Sequence, residues 1–109
     1  MLDEKGNTLL HLAVKNENLK IVKVILKHAT NININFKNNV GNTPLHLAAM
    51  NNDLIMISLL LNYYADKYAM NDQGETPYNI GGVSDDTSLY ITEYHPPPVL
   101  QVSPRVKYT

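Results

Sequence analysis

The sequence predicts an all-α fold, a short solenoid of stacked helix-turn-helix units, and three observations predict it. The stretch Gly41-Asn42-Thr43-Pro44-Leu45-His46-Leu47-Ala48-Ala49 occurs earlier as Gly6-Asn7-Thr8-Leu9-Leu10-His11-Leu12-Ala13-Val14. It returns in decayed form as Gly74-Glu75-Thr76-Pro77-Tyr78-Asn79-Ile80-Gly81-Gly82, so the leading glycines lie 35 and then 33 residues apart. Self-similarity at such a period marks a repeat architecture, in which no unit buries its apolar face without a neighbour. The second observation is that each of the first two copies is followed, past a polar break, by another apolar segment of helical spacing. The third is size: 109 residues with 44% hydrophobic content make one small folded domain.

The first unit spans residues 3–37. Thr8 is placed to cap a first helix, whose Leu9, Leu10, Leu12, Ala13 and Val14 are apolar on most sides, as for a helix sandwiched between neighbours. Asn16-Glu17-Asn18 breaks it. Leu19, Ile21, Val22, Val24, Ile25 and Leu26 then form a second helix, with Lys20, Lys23 and Lys27 at i, i+3 and i+7 on its wet face. So short a break makes the two helices antiparallel. Beyond them Ile32, Ile34 and Phe36 alternate with Asn31, Asn33 and Asn35, which reads as a half-buried extended segment.

The second unit spans residues 38–70. Pro44 follows the cap Thr43 at the first helical position, where its missing N–H costs nothing. Leu45, Leu47, Ala48 and Ala49 make the first helix, the alanines allowing close contact; Leu54, Ile55, Ile57, Leu59, Leu60 and Leu61 make the second. The third unit, residues 71–94, keeps Gly74, Thr76 and Pro77 and then decays. Gly81-Gly82 costs about 2 kcal/mol relative to alanine in a helix interior, so the first helix stops there. Ser84-Asp85-Asp86 can cap a short second helix through Tyr90 or Tyr94. Pro96-Pro97-Pro98 ends any helix. Residues 95–109 read as a Pro-rich extended tail, whose Val99, Leu100, Val102 and Val106 either lie back over the last unit or belong to a disordered end.

The period near 33 and the Thr-Pro-Leu-His opening resemble the ankyrin repeat. The resemblance covers residues 3 to about 83, with a weaker extension to about 94. It implies an ankyrin-repeat solenoid with hairpin-like connecting loops, two full repeats and a degenerate third acting as the C-terminal cap. The 35-residue spacing implies two extra residues in the first connection, for which Ile34-Asn35 is the simplest assignment. Three departures stand out. Tyr64 replaces a glycine that leaves the helix with positive φ, which costs a tyrosine roughly 1 kcal/mol unless the helix ends differently. Lys67-Tyr68 replaces a Val-Asn pair. Asn79 replaces the histidine.

Composition excludes several functions. A formal net charge of −1 argues against a sequence-independent grip on nucleic acid. With no cysteine, disulfides and thiolate metal sites are excluded. No signal peptide opens the chain, and no apolar run approaches the roughly 20 residues that span a bilayer. An intracellular, cytoplasmic location is expected. The resemblance implies that His11 and His46 are structural, each ring bonding the threonine of its own motif and the backbone of the next loop. His28 suits the negative end of its helix, His95 is solvated, and the four histidines are too scattered for zinc. Asp85-Asp86 reads as a cap rather than a carboxylate pair. Gly81-Gly82 lacks the spacing and lysine of a phosphate loop. No catalytic residue, metal ligand or cofactor is expected. Lys15, Lys20, Lys23 and Lys27 form a solvated basic face or, on the sharper reading, a surface for an acidic partner. Ser103-Pro104-Arg105 is a short match to a proline-directed phosphorylation site.

What remains is non-catalytic recognition of a partner protein. In the family, partners engage hairpin tips and the exposed side of the first helices. The mapping puts Glu4, Lys5 and Asn7 at the first tip; Lys37, Asn39, Val40 and Asn42 at the second; and Met70, Asp72, Gln73 and Glu75 at the third. Lys15, Asn16, Met50 and Asn51 come from the first helices. Val40, Met50 and Met70 are apolar where the scaffold needs no apolar side chain, and either form a patch for a partner or are covered by the lengthened loop before Asn38. The first repeat has Leu9, Leu12 and Val14 but no polar cap before it. That suggests a piece of a longer array, or self-association through this face. An alternative is an accessory module of a larger enzyme or of a lipid or acyl-carrier protein, with the activity outside this chain.

Overall fold

A computed structural model describes residues 2–29 and 31–96. It contains helices α1 (Leu9–Lys15), α2 (Leu19–His28), α3 (Pro44–Met50), α4 (Leu54–Asn62) and α5 (Asp85–Glu93), and no strand among the described residues. Helices α1 and α2 pair, as do α3 and α4; α1 packs along α3, and α4 along α5. The result is a stack of helix pairs, the all-α solenoid expected. The tail readings on Val99 to Val106 and on Ser103 lie outside the described residues.

Each helix pair is punctuated by local chemistry. Thr8 and Thr43 cap α1 and α3, Asn18 and Asp53 cap α2 and α4, and Ser84 caps α5, each side chain accepting a backbone N–H of the first turn. Three helices end with a residue in the left-handed region: Glu17 at φ 58°, Asn52 at φ 53° and Tyr64 at φ 65°. After α4, the Tyr64 N–H reaches the Leu61 carbonyl at 2.9 Å and the Ala65 N–H reaches the Leu60 carbonyl at 3.1 Å. This pair of bonds satisfies carbonyls that the helix end would otherwise orphan, and it recurs after α1 and α3. Tyr64 therefore adopts the strained conformation that glycine would take freely.

Helix α2 ends differently, with Ala29 extended at φ −80°. The following loop shows why its connection is longer. The Asn33 side chain accepts from the Asn35 N–H, and the Phe36 N–H donates to the Asn33 carbonyl at 3.1 Å. Asp66 does the same for Tyr68 and Ala69. Asn33 and Asp66 are thus equivalent, 33 residues apart, whereas Leu19 and Leu54, which open α2 and α4, are 35 apart. The two extra residues lie between His28 and Asn33, not at Ile34-Asn35, because a helix that skips the left-handed turn needs more chain to reach the same loop. Ile34 and Asn35 form the turn itself, so the alternating segment is not a continuous extended strand.

The core is continuous through the stack. Leu10, Val14, Val22, Leu45, Ala48, Ala49, Met56, Ile57 and Leu60 are buried, and Ile80 and Ile91 extend the cluster into the last unit. Ala13, Ala48 and Ala49 have no bulk to hold α1 and α3 apart. In the third unit the segment after Thr76 makes a single turn, with the Asn79 N–H on the Thr76 carbonyl, and Gly82 follows at φ 96°.

Helix α5 is fastened by side chains. Lys67 Nζ donates to the carbonyls of Ile91, Thr92 and Tyr94 at 3.1, 3.1 and 2.9 Å, a cation on the negative end of the helix. Tyr68 meets Tyr78 edge to face, and the Tyr94 hydroxyl donates to Asn62. Asn52 donates to the Gly82 carbonyl and accepts from the Ser84 N–H. Lys67 therefore serves the terminal helix, and Tyr68 the turn that precedes it.

Candidate functional site

Each tip is built around one side chain. Asp3, Asn38 and Asn71 each accept the N–H groups of residues two and four places on, and a glycine in the left-handed region closes the turn: Gly6, Gly41 and Gly74. Successive tips bond to each other. The Asn39 N–H donates to the Lys5 carbonyl at 2.9 Å and the Asp72 N–H to the Val40 carbonyl at 3.0 Å. Asn38 Nδ2 donates to Asn7 Oδ1, and Asn71 Nδ2 to Asn42 Oδ1. Gly41 permits this approach: a Cβ there would lie 2.6 Å from the Asp72 nitrogen.

His11 and His46 complete the same joints. His11 Nδ1 accepts from the Thr8 backbone N–H at 3.2 Å and from the Thr8 hydroxyl at 2.9 Å, while Thr8 Oγ1 accepts from the His11 N–H. His11 Nε2 lies 2.8 Å from the Asn42 carbonyl. A carbonyl only accepts, so Nε2 carries the hydrogen and the ring is neutral. His46 repeats this with Thr43 and with the Glu75 carbonyl at 2.8 Å. Burial pushes both imidazoles below the usual histidine range, and the acceptor carbonyls only partly oppose it. Every polar atom of each ring has a partner, and nothing is left to act on a substrate. Among the described residues, no three His, Asp or Glu side chains converge as metal ligands.

Two adjoining clefts lie along the tips and first helices. One, of about 220 Å³, is lined by Lys5, Asn7, Lys15, Asn38, Leu47, Met50 and Asn51. The next, of about 420 Å³, is lined by Val40, Asn42, Met50, Asn71, Asp72, Gln73, Glu75, Ile80 and Gly81. Met50 belongs to both, so the two form one groove along the stack.

This groove brings together ten of the residues singled out from sequence: Lys5, Asn7, Lys15, Val40, Asn42, Met50, Asn51, Asp72, Gln73 and Glu75. Asn7 and Asn42 are buried, and their side chains are held in the ladder between tips. Glu4, Asn16, Lys37, Asn39 and Met70 line neither cleft. Asn16 caps the end of α1, and Asn39 Nδ2 donates to the Glu4 carbonyl. The lengthened loop does not cover the apolar trio, since Val40, Met50 and Met70 are 57%, 43% and 56% exposed. Val40 and Met50 face one cleft; Met70 lies apart. Leu47 and Gly81 line the groove although the sequence places them in a helix and at a helix break, and Asn38, Asn71 and Ile80 line it without any sequence signal for a site.

The family model for ankyrin repeats (3 copies) matches residues 1–71. No match is found among curated proteins. A match over that share of the chain shows the family: the chain belongs to the ankyrin repeats, whose domains are generally protein–protein interaction modules and typically non-catalytic.

Proposed function

We propose, from membership of the ankyrin-repeat family, that this chain binds a segment of a partner protein in the groove centred on Met50. The observation that carries the reading is the exposure of Val40 and Met50 in a groove that Leu47 and Ile80 also line, among polar tip residues. An apolar side chain on this scaffold gains nothing for the fold by facing water there, whereas a partner side chain placed over it removes apolar area on both sides. A methionine suits this, because its flexible, polarisable side chain adapts to the shape it meets. Affinity capture with the wild-type chain and a Val40→Ser/Met50→Ser variant tests the reading. The variant should fold with unchanged stability and lose most of the captured partner. Equal recovery by both chains would end the proposal.

A second surface favours self-association. Leu2 and Leu9 are 48% and 63% exposed, and together with Leu12 they line a depression of about 310 Å³ on the outer side of α1. That face is where another repeat or a second copy would stack. Sedimentation equilibrium checks it: the wild-type chain should associate with rising concentration and Leu9→Glu should not. A wild-type chain that stays monomeric would remove this reading.

A further inference from the structure

The groove is electrically divided. The first cleft carries Lys5 and Lys15, and no carboxylate lines it. The second carries Asp72 and Glu75, and no cation lines it. Between them Met50 is shared, with Leu47 on one side and Val40 on the other. Asp72, Lys5 and Lys15 are exposed, and Glu75 is half-buried where Asn71 Nδ2 donates to its carboxylate at 2.9 Å. That bond holds the charge at the cleft wall instead of letting it swing into solvent. The sequence hides the division, because the overall net charge is only −1.

Resting on the groove reading above, we propose that the preferred occupant is an extended protein segment in which an acidic and a basic side chain flank an apolar one. The carboxylate lies over Lys5 and Lys15, the apolar side chain over Met50, and the cation over Asp72 and Glu75. Packed helices lie about 8–10 Å apart. Lys5 and Lys15 belong to the first repeat and Asp72 and Glu75 to the third, so the charged ends lie two such spacings apart, about 16–20 Å, which an extended chain covers in about five or six residues. A uniformly basic or uniformly acidic segment satisfies one end and is repelled at the other. An apolar segment of the same shape gains the Met50 contact alone. The division thus acts on selectivity more than on affinity, because exposed pairs are individually weak.

Fluorescence anisotropy with short labelled peptides tests this at low ionic strength. The probes are Ser-Glu-Ala-Ala-Leu-Ala-Ala-Lys-Ser, with its charged residues six positions apart to match that span, and its reverse, since charge alone does not set chain direction. Controls carry Gln for Glu, Gln for Lys, or Ser for Leu. At least one bipolar peptide should bind about three- to tenfold more tightly than either singly charged control, and the preference should shrink in high salt. The charge-reversed chain Lys5→Glu/Lys15→Glu should come to prefer the peptide that keeps only its Lys. Equal binding of all charged variants, with loss only on removing Leu, would overturn this inference and leave the groove reading standing. Binding of every probe unaffected by Val40→Ser/Met50→Ser would overturn both, as would no detectable binding of any peptide by a wild-type chain whose captured partner is also indifferent to that variant. Absence of peptide binding with partner capture still lost in the variant would overturn this inference alone.

Discussion

Thr43 and Thr76 hold the same place in consecutive copies of one motif, yet their surroundings differ. The Thr43 hydroxyl bonds the His46 ring and accepts the His46 N–H, and that ring reaches forward to the Glu75 carbonyl. The Thr76 hydroxyl is buried without a hydrogen-bond partner. Its backbone N–H is still satisfied, by Asn79 Oδ1 at 2.8 Å, as the Thr43 N–H is by the His46 ring. Asparagine thus reproduces the local half of what histidine does and drops the half that reaches the next repeat. A copy can lose the ring and keep the turn. The difference separates two functions packed into one residue: closing its own helix start, and joining the stack.

The comparison can be broken most forcefully at the glycines. Gly41→Val puts a side chain against the Asp72 backbone at a φ of 84°, whereas a side chain at Gly74, φ 76°, meets nothing within 4 Å. Urea denaturation should show a loss of about 3–5 kcal/mol, or failure to fold, for Gly41→Val and about 1–2 kcal/mol for Gly74→Val. Similar losses at both would mean that the second and third tips are not in close contact.

Acid acts next. Both rings titrate below the ordinary histidine value of 6.5 in the folded chain, so the unfolded chain binds more protons as pH drops. Stability should be level above about pH 6.5 and should fall below it, toward the lowered folded values. In His46→Gln the slope should shrink by one histidine's share, which denaturation at a series of pH values measures. Smaller still is the threonine pair. Thr43→Val removes a helix cap and a ring partner and should cost about 1–2 kcal/mol. Thr76→Val removes an orphaned hydroxyl and should be neutral or stabilising by up to about 1 kcal/mol. Thermal melts of the two variants separate these outcomes by sign. Least of all, Tyr64→Gly should stabilise by up to about 1 kcal/mol, because φ 65° costs glycine nothing.

Much of this was legible in the residues. Gly41-Asn42-Thr43-Pro44-Leu45-His46 encodes a left-handed turn, a cap and a ring at fixed offsets, so period and chemistry agreed. The cap at Ser84 followed from propensity alone, whereas the first helix expected to run up to Gly81-Gly82 is only a single turn. Other features needed the third dimension. The two extra residues of the first connection are not Ile34-Asn35, because spacing counts residues without saying which helix ends in a left-handed turn and which does not. Lys67 departs from the family pattern, but its target is the end of a helix 24 to 27 residues further on. Met70 matched Val40 and Met50 in chemistry and not in place. The division of the groove into a basic and an acidic cleft arises only when residues 5, 15, 72 and 75 are brought to one side.

Native-state hydrogen exchange, read helix by helix, tests most directly the claim that the histidine joint welds the stack and that the asparagine copy ends it. Helices α1 to α4 should open together at the free energy of global unfolding, and α5, which lies beyond the His46–Glu75 joint and is held by Lys67 and Asn52, should open at a lower one. Amides of α5 as protected as those of α3 would contradict the account, since the segment beyond the last histidine joint would then be held as firmly as the helices between the joints.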